Sequence, residues 1–321
     1  MLDIYSQFRD TGCKYGGFYM FNEPILMLLD PELIKQILTK DFEYFHDRSG
    51  SANEKDDPLS GHLFVTTGKK WKSLRKKTTP TFTSGKMKMM FQTLLTCAEE
   101  LEETLQEPVR TGVPVNIKDI LGRYTTDVIG SCVFGLNCNS LKDPNTEFYH
   151  YAKLFVNGTL SSSIKFILSA MFGTILNILK IRRIDRDVSN FFFNVLKSTI
   201  QYREANKIHR NDFVELFIKM KNNESIDDDD RNVDSKDDLS DAITFNELAA
   251  QAFIFFIAGY ESSSTTLAFC LYELSLQPQI QDKLRMEILT KLNKNNGEIS
   301  YSVILEMEYL DKVFKGTLTL K

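Results

Sequence analysis

Thr244–Pro278, TFNELAAQAFIFFIAGYESSSTTLAFCLYELSLQP, is the stretch on which the fold turns. It reads as one long, mostly apolar helix. Thr244 and Glu247 make a T-x-x-E capping box that satisfies free N–H groups at its start. Pro278 cannot continue it. The interior is unusual, because Ala258-Gly259 lies deep inside and a helix-interior Gly costs about 1 kcal/mol relative to Ala. Glu261 and the hydroxyl run Ser262–Thr266 follow, and an unpartnered carboxylate in apolar surroundings is expensive. Two readings stand. In one, this is a core helix whose Gly allows close packing and whose Glu meets a Lys or Arg. In the other, something approaches the backbone here and protons are moved.

Working outward, the chain is mainly helical. Residues 1–10 have helical periodicity. Lys14–Gly17 reads as a turn, and Phe18–Phe21 and Ile25–Leu29 as a hairpin. Asp30-Pro31 caps a helix to Lys40. Ser49–Ser60 reads as a polar loop. Gly68–Lys77 is a basic helix stopped by Pro80, carrying the only Trp, Trp71, with Arg75 one turn later. An indole N–H beside a guanidinium suits ligand carboxylates; a solvated basic helix with Trp in the core is the plainer reading. Helices are expected at 87–107, 118–134, 147–158, 187–206 and 212–221, and one or two short ones at 302–321. The uncharged run Phe166–Leu179 is too short and polar to span a bilayer, and suits a core helix or one touching a membrane surface.

With 321 residues, 42% hydrophobic and 26% charged, the chain can bury a large core. The formal net charge of −4 argues against general nucleic-acid binding. Much of it sits in Glu224–Asp241, read as a solvated acidic loop. Cys13, Cys97, Cys132, Cys138 and Cys270 are scattered and odd in number, which argues against a disulfide framework or zinc site and fits a reducing compartment. His46, His62, His150 and His209 lack metal-ligand spacing, so no metal-binding residue is assigned. No signal peptide or N-terminal span is read, and both ends look cut.

Four features together resemble the cytochrome P-450 superfamily of haem-thiolate monooxygenases, close to the microsomal insect type that oxidises plant toxins and insecticides. Trp71-Lys-Ser-Leu-Arg75 matches the W-x-x-x-R helix, Thr79–Gly85 the TPTFTSGK segment, Phe134-Gly135 with Cys138–Pro144 a further stretch, and Ala258-Gly-Tyr-Glu-Ser262 the [A/G]-G-x-[D/E]-T motif. Their order and separation carry the resemblance, which covers nearly the whole chain.

The resemblance implies a mainly α fold with a small β-sheet region, residues 1–321 forming one domain incomplete at its C-terminus. It implies haem as cofactor, with Trp71 and Arg75 on the propionates, His62 assisting, and Ala258 and Gly259 over the oxygen face where helix strain opens a groove. Glu261 and Ser262 become the catalytic proton donors; Ser262 stands where the family usually has Thr. Implied partners are O₂, a small apolar substrate flanked by 49–65 and 155–179, an NADPH-dependent reductase docking on the basic helix, and the membrane surface of the endoplasmic reticulum on its cytoplasmic face. None of the five cysteines lies in the family's thiolate loop, and Gly316 and Thr319 stand where its E-x-x-R Glu and Arg are expected. The match is therefore expected to fail after Lys315, with Gly316–Lys321 read through from non-coding sequence, and the chain as given to be inactive. The alternatives are a non-catalytic helical interaction protein or pseudoenzyme fragment and, with little weight, a helical domain unrelated to haem.

Overall fold

The computed structural model describes residues 2–20, 23–48, 52–158, 168, 178–222 and 243–320. Most of Phe166–Leu179, the whole acidic segment Glu224–Asp241, the turn at 21–22 and the start of the Ser49–Ser60 loop lie outside them. The chain divides into two compact units, residues 1–49 with 67–69, and residues 50–66 with 70–321.

The first unit holds α1 (Leu2–Asp10), strands β1 (Tyr15–Met20) and β2 (Glu23–Leu28), α2 (Pro31–Leu38) and α3 (Phe42–Phe45). The strands pair antiparallel, from Tyr15 with Leu28 to Met20 with Glu23. The turn expected at Lys14–Gly17 is therefore mostly strand. A Cβ on Gly16 would lie 2.4 Å from the Phe8 ring, so glycine there lets α1 press on the strand. Asp30 caps α2 as expected, accepting from the Leu33 N–H at 2.9 Å.

The second unit contains a 3-10 turn (Pro58–Ser60), all but the first two residues of α4 (Gly68–Thr78), a 3-10 turn (Thr79–Phe82), α5 (Ser84–Thr111), α6 (Ile117–Ile129) and a π turn (Gly130–Phe134). After these come α7 (Glu147–Asn157), α8 (Arg186–Asn206), α9 (Phe213–Lys221), α10 (Phe245–Leu276), α11 (Pro278–Lys294), α12 (Tyr301–Leu305) and α13 (Glu308–Leu320). Helix α13 runs unbroken across Gly316.

Helix α10 is the axis of this unit. Leu248–Phe253 are all buried, so this stretch is enclosed on every side. It is long and apolar enough to cross a membrane by length and composition. Around Phe253 and Phe256 the apolarity has a packing explanation, because both are fully buried against Phe192, with centroids 5.2 Å away in each case. Phe134 and Phe148 complete the aromatic core, 6.0 and 5.8 Å from Phe256. Helix α6 makes the most extensive helix contact with α10.

A buried ion pair locks α8 to α9. Arg203 holds Asp212 through two bonds, Nη1–Oδ1 at 2.7 Å and Nη2–Oδ2 at 2.5 Å. Asp212 also caps α9, as its position ahead of Phe213 predicts. The Arg203 guanidinium fills the space over Gly135, where φ is +66° and any Cβ would collide with it.

Candidate functional site

The 52–66 segment is more deeply built than a polar loop. Asp57 is fully buried, and its Oδ2 accepts from the Arg183 and Ile184 N–H groups at 2.9 and 3.1 Å. Burial pushes its carboxyl above the usual range, against the pull of those donors and of Arg182 and Arg183. From the other side, the buried Gln251 amide of α10 accepts from Leu63 N–H at 3.0 Å and donates to the Gly61 carbonyl at 3.4 Å. The loop, read from sequence as polar, is thus tied to both α10 and the segment before α8.

His62 sits in this segment, 9% exposed, and its Nδ1 has no hydrogen-bond partner. Burial lowers its pKa to about 4, with the nearby Arg183 adding to the effect, so it is a neutral imidazole at pH 7.

Helix α4 buries Leu74 and Thr78 and turns Arg75 outward. Trp71 is half-buried one turn before it. The exposed Arg75 guanidinium has no ion-pair partner among the described residues. Lys70, on another face, bonds Glu54 and also lies 3.1 Å from Glu247, the capping-box acid of α10. That ties α4 to the start of α10.

The middle of α10 has distinct faces. Ala258, Ser262, Ser263, Phe269, Leu271 and Tyr272 are exposed and Thr265 is half-buried, so beyond Tyr260 α10 is largely open to solvent while its earlier turns lie in the core. Ser262 Oγ donates to the Ala258 carbonyl at 2.5 Å. The expected opening of the helix at Gly259 is absent, since α10 is continuous α from Phe245 to Leu276. The π turn among the described residues follows α6 instead. Gly259 has a packing role. A Cβ there would lie 2.5 Å from Ile129 Cδ1 and 2.7 Å from its Cγ1, so glycine lets α6 seat against α10.

Glu261 points to α6, about 100° round from Ser262. Its Oε1 lies 3.1 Å from Lys118 Nζ and accepts from Thr265 Oγ1 at 3.0 Å. Lys118 also donates to Ser264 Oγ at 2.9 Å and Thr265 Oγ1 at 2.5 Å. The structure therefore groups Ala258 with Ser262, and separately Glu261 with Lys118, Ser264 and Thr265; it makes no Glu261–Ser262 hydrogen bond. Sequence reasoning asked only for some Lys or Arg near Glu261. Lys118 lies 143 residues away, and only the α6–α10 packing identifies it.

The chain is similar to known proteins over nearly all its length. The cytochrome P450 family model matches residues 2–320, past Lys315, where the resemblance was expected to fail. "Probable cytochrome P450 6a14" of Drosophila melanogaster is 41% identical over 321 residues, covering 98% of this chain and 62% of the relative. "Cytochrome P450 6a2" of the same organism is 39% identical, with 99% and 62% covered. "Cytochrome P450 6A1" of Musca domestica is 40% identical, with 98% and 60% covered. The chain spans about 62% of the length of the first of these relatives. On the family match and these identities, with a mainly helical body and a two-stranded sheet, the chain belongs to the cytochrome P450 family and is similar to its insect members.

Proposed function

We propose that residues 2–320 form the oxygen-side and propionate-side walls of a haem-thiolate monooxygenase, which inserts one atom of O₂ into small apolar substrates. The observation that carries this reading is the open face of α10. Ala258 and Ser262 are exposed although Leu248–Phe253 and Phe256 of the same helix are buried.

The residues present fit the carboxylate-bearing edge of haem. Arg75 is an exposed guanidinium without an ion-pair partner among the described residues, and His62 keeps a buried, unbonded Nδ1. A propionate would pair with the Arg75 guanidinium, and one reaching His62 would take the hydrogen bond of its Nδ1. Haem, when bound, supplies O₂ activation at its iron, favoured by the electron push of an axial thiolate. Three of the five cysteines of this sequence are buried and are poor sources of that thiolate. Burial holds Cys97 and Cys132 protonated, with pKa values near 12 and 11, and pushes Cys138 up as well. We infer that residues 1–321 alone are inactive and that the active enzyme takes its thiolate from elsewhere.

Within this reading Ser262 holds a hydroxyl on the open face and Glu261 holds a carboxylate one residue away. The small side chain of Ala258 keeps that face low enough for small molecules to approach. The basic face of α4, with Lys69, Lys72 and Lys76, suits an acidic reductase domain as electron donor, so electron transfer should slow with salt. Attachment to the endoplasmic reticulum membrane and an apolar substrate belong to the same proposal; the exposed Phe64 and the half-buried Phe155 offer apolar surface for the substrate.

The test is Ser262→Ala in the complete haem-loaded enzyme. Product formed per electron consumed is expected to fall, and unchanged coupling would refute the assignment.

A further inference from the structure

We propose that Lys118 is a positioning residue that holds Glu261 ready for proton delivery to the open face of α10. This rests on the reading of Glu261 and Ser262 given above.

The ammonium of a lysine has three N–H donors. All three are matched on one face of α10, by Glu261 Oε1 at 3.1 Å, Ser264 Oγ at 2.9 Å and Thr265 Oγ1 at 2.5 Å. The hydroxyls complete the set. Thr265 passes its own hydrogen to Glu261 Oε1, and Ser264 passes its hydrogen to the Glu261 carbonyl at 3.2 Å. One carboxylate oxygen of Glu261 is therefore fixed by two donors. No described residue bonds its Oε2, which is left to take or give a proton.

The placement of Lys118 does not serve its own helix. It lies in the first turn of α6, after the N-cap Asn116, where the helix dipole favours an anion. Nor does it serve stability to much purpose. The Lys118 and Glu261 side chains are 44% and 42% exposed, and such pairs are strongly screened. What the cluster does achieve is geometric. It pins the carboxylate at the solvent edge, one residue along α10 from Ser262.

The test compares Lys118→Met, Lys118→Arg and Ser262→Ala in the complete haem-loaded enzyme. Lys118→Met is expected to lower product per electron by about tenfold with substrate KM unchanged, within the hundredfold that an ångström of misplacement can cost. Lys118→Arg should restore most of it. A second readout needs no turnover. The isotope-edited carboxylate band that disappears in Glu261→Gln should shift in Lys118→Met and stay near its place in Lys118→Arg. If Ser262→Ala uncouples the enzyme while Lys118→Met leaves both coupling and the band unchanged, the role of Lys118 is refuted and the site reading stands. If Ser262→Ala changes nothing, both fall.

Discussion

Replacing Gly259 by alanine should destabilise the protein only while Ile129 stands opposite. The new Cβ would lie 2.5 Å from Ile129 Cδ1 and 2.7 Å from Cγ1. Overpacking of this kind costs about 1–3 kcal/mol. Against it, alanine in a helix interior is favoured over glycine by about 1 kcal/mol. The expected net loss is therefore roughly 0–2 kcal/mol. In an Ile129→Ala background the clash is gone and only the helix preference remains. There Gly259→Ala should stabilise by about 1 kcal/mol. The effect changes sign, which separates packing from a need for bare backbone. The assay is urea unfolding of the four chains of the cycle, read as shifts in midpoint at constant slope. If Gly259→Ala is equally damaging in both backgrounds, Ile129 is not the reason for the glycine.

Asp57→Asn should change how stability depends on acidity. Because burial raises the folded pKa of Asp57, the native state binds its proton more readily, and stability falls as pH rises from the ordinary carboxylate range through the folded value. Asp57→Asn should remove that decline, and parallel pH–stability curves would count against it. Arg203→Met should cost about 3–5 kcal/mol, since it strands the buried Asp212 carboxylate. Arg210, at 3.4 Å from that carboxylate, favours the lower end, and a urea-measured loss below about 1 kcal/mol would contradict the pairing. Gln251→Leu should cost about 1–3 kcal/mol by orphaning the Leu63 N–H, with faster hydrogen exchange at that amide. Unchanged protection of Leu63 would argue that Gln251 does not anchor the loop.

What was legible in the sequence was local. The Thr244–Glu247 capping box, the Asp30 and Asp212 caps and the extent of α8 and α10 depend on residues within a turn of each other. The structure has each of them, with Glu247 N–H reaching Thr244 Oγ1 at 3.2 Å. What was not legible depends on neighbours far along the chain. Glu261 shows its need for a cation, but Lys118 is reached only through the antiparallel seating of α6 on α10. Asp57 looks like one more acid in a polar loop; its carboxylate is buried because it caps the backbone of Arg183 and Ile184. Gly16 reads as turn chemistry until the Phe8 ring is seen over it. At Gly259 the same absence of a side chain suits both a ligand's approach and a helix contact, and sequence alone does not choose between them.

The account's central claim is that these residues supply the oxygen-side and propionate-side walls of the haem site and not its thiolate. The most direct test is the reduced carbon monoxide difference spectrum of the 321-residue chain after haem titration, for the unaltered chain and for Arg75→Glu. The account predicts weak haem uptake without a thiolate-type Soret band, weakened further in Arg75→Glu by repulsion of the propionates. A thiolate-type band from the unaltered chain, or uptake indifferent to Arg75→Glu, would contradict it.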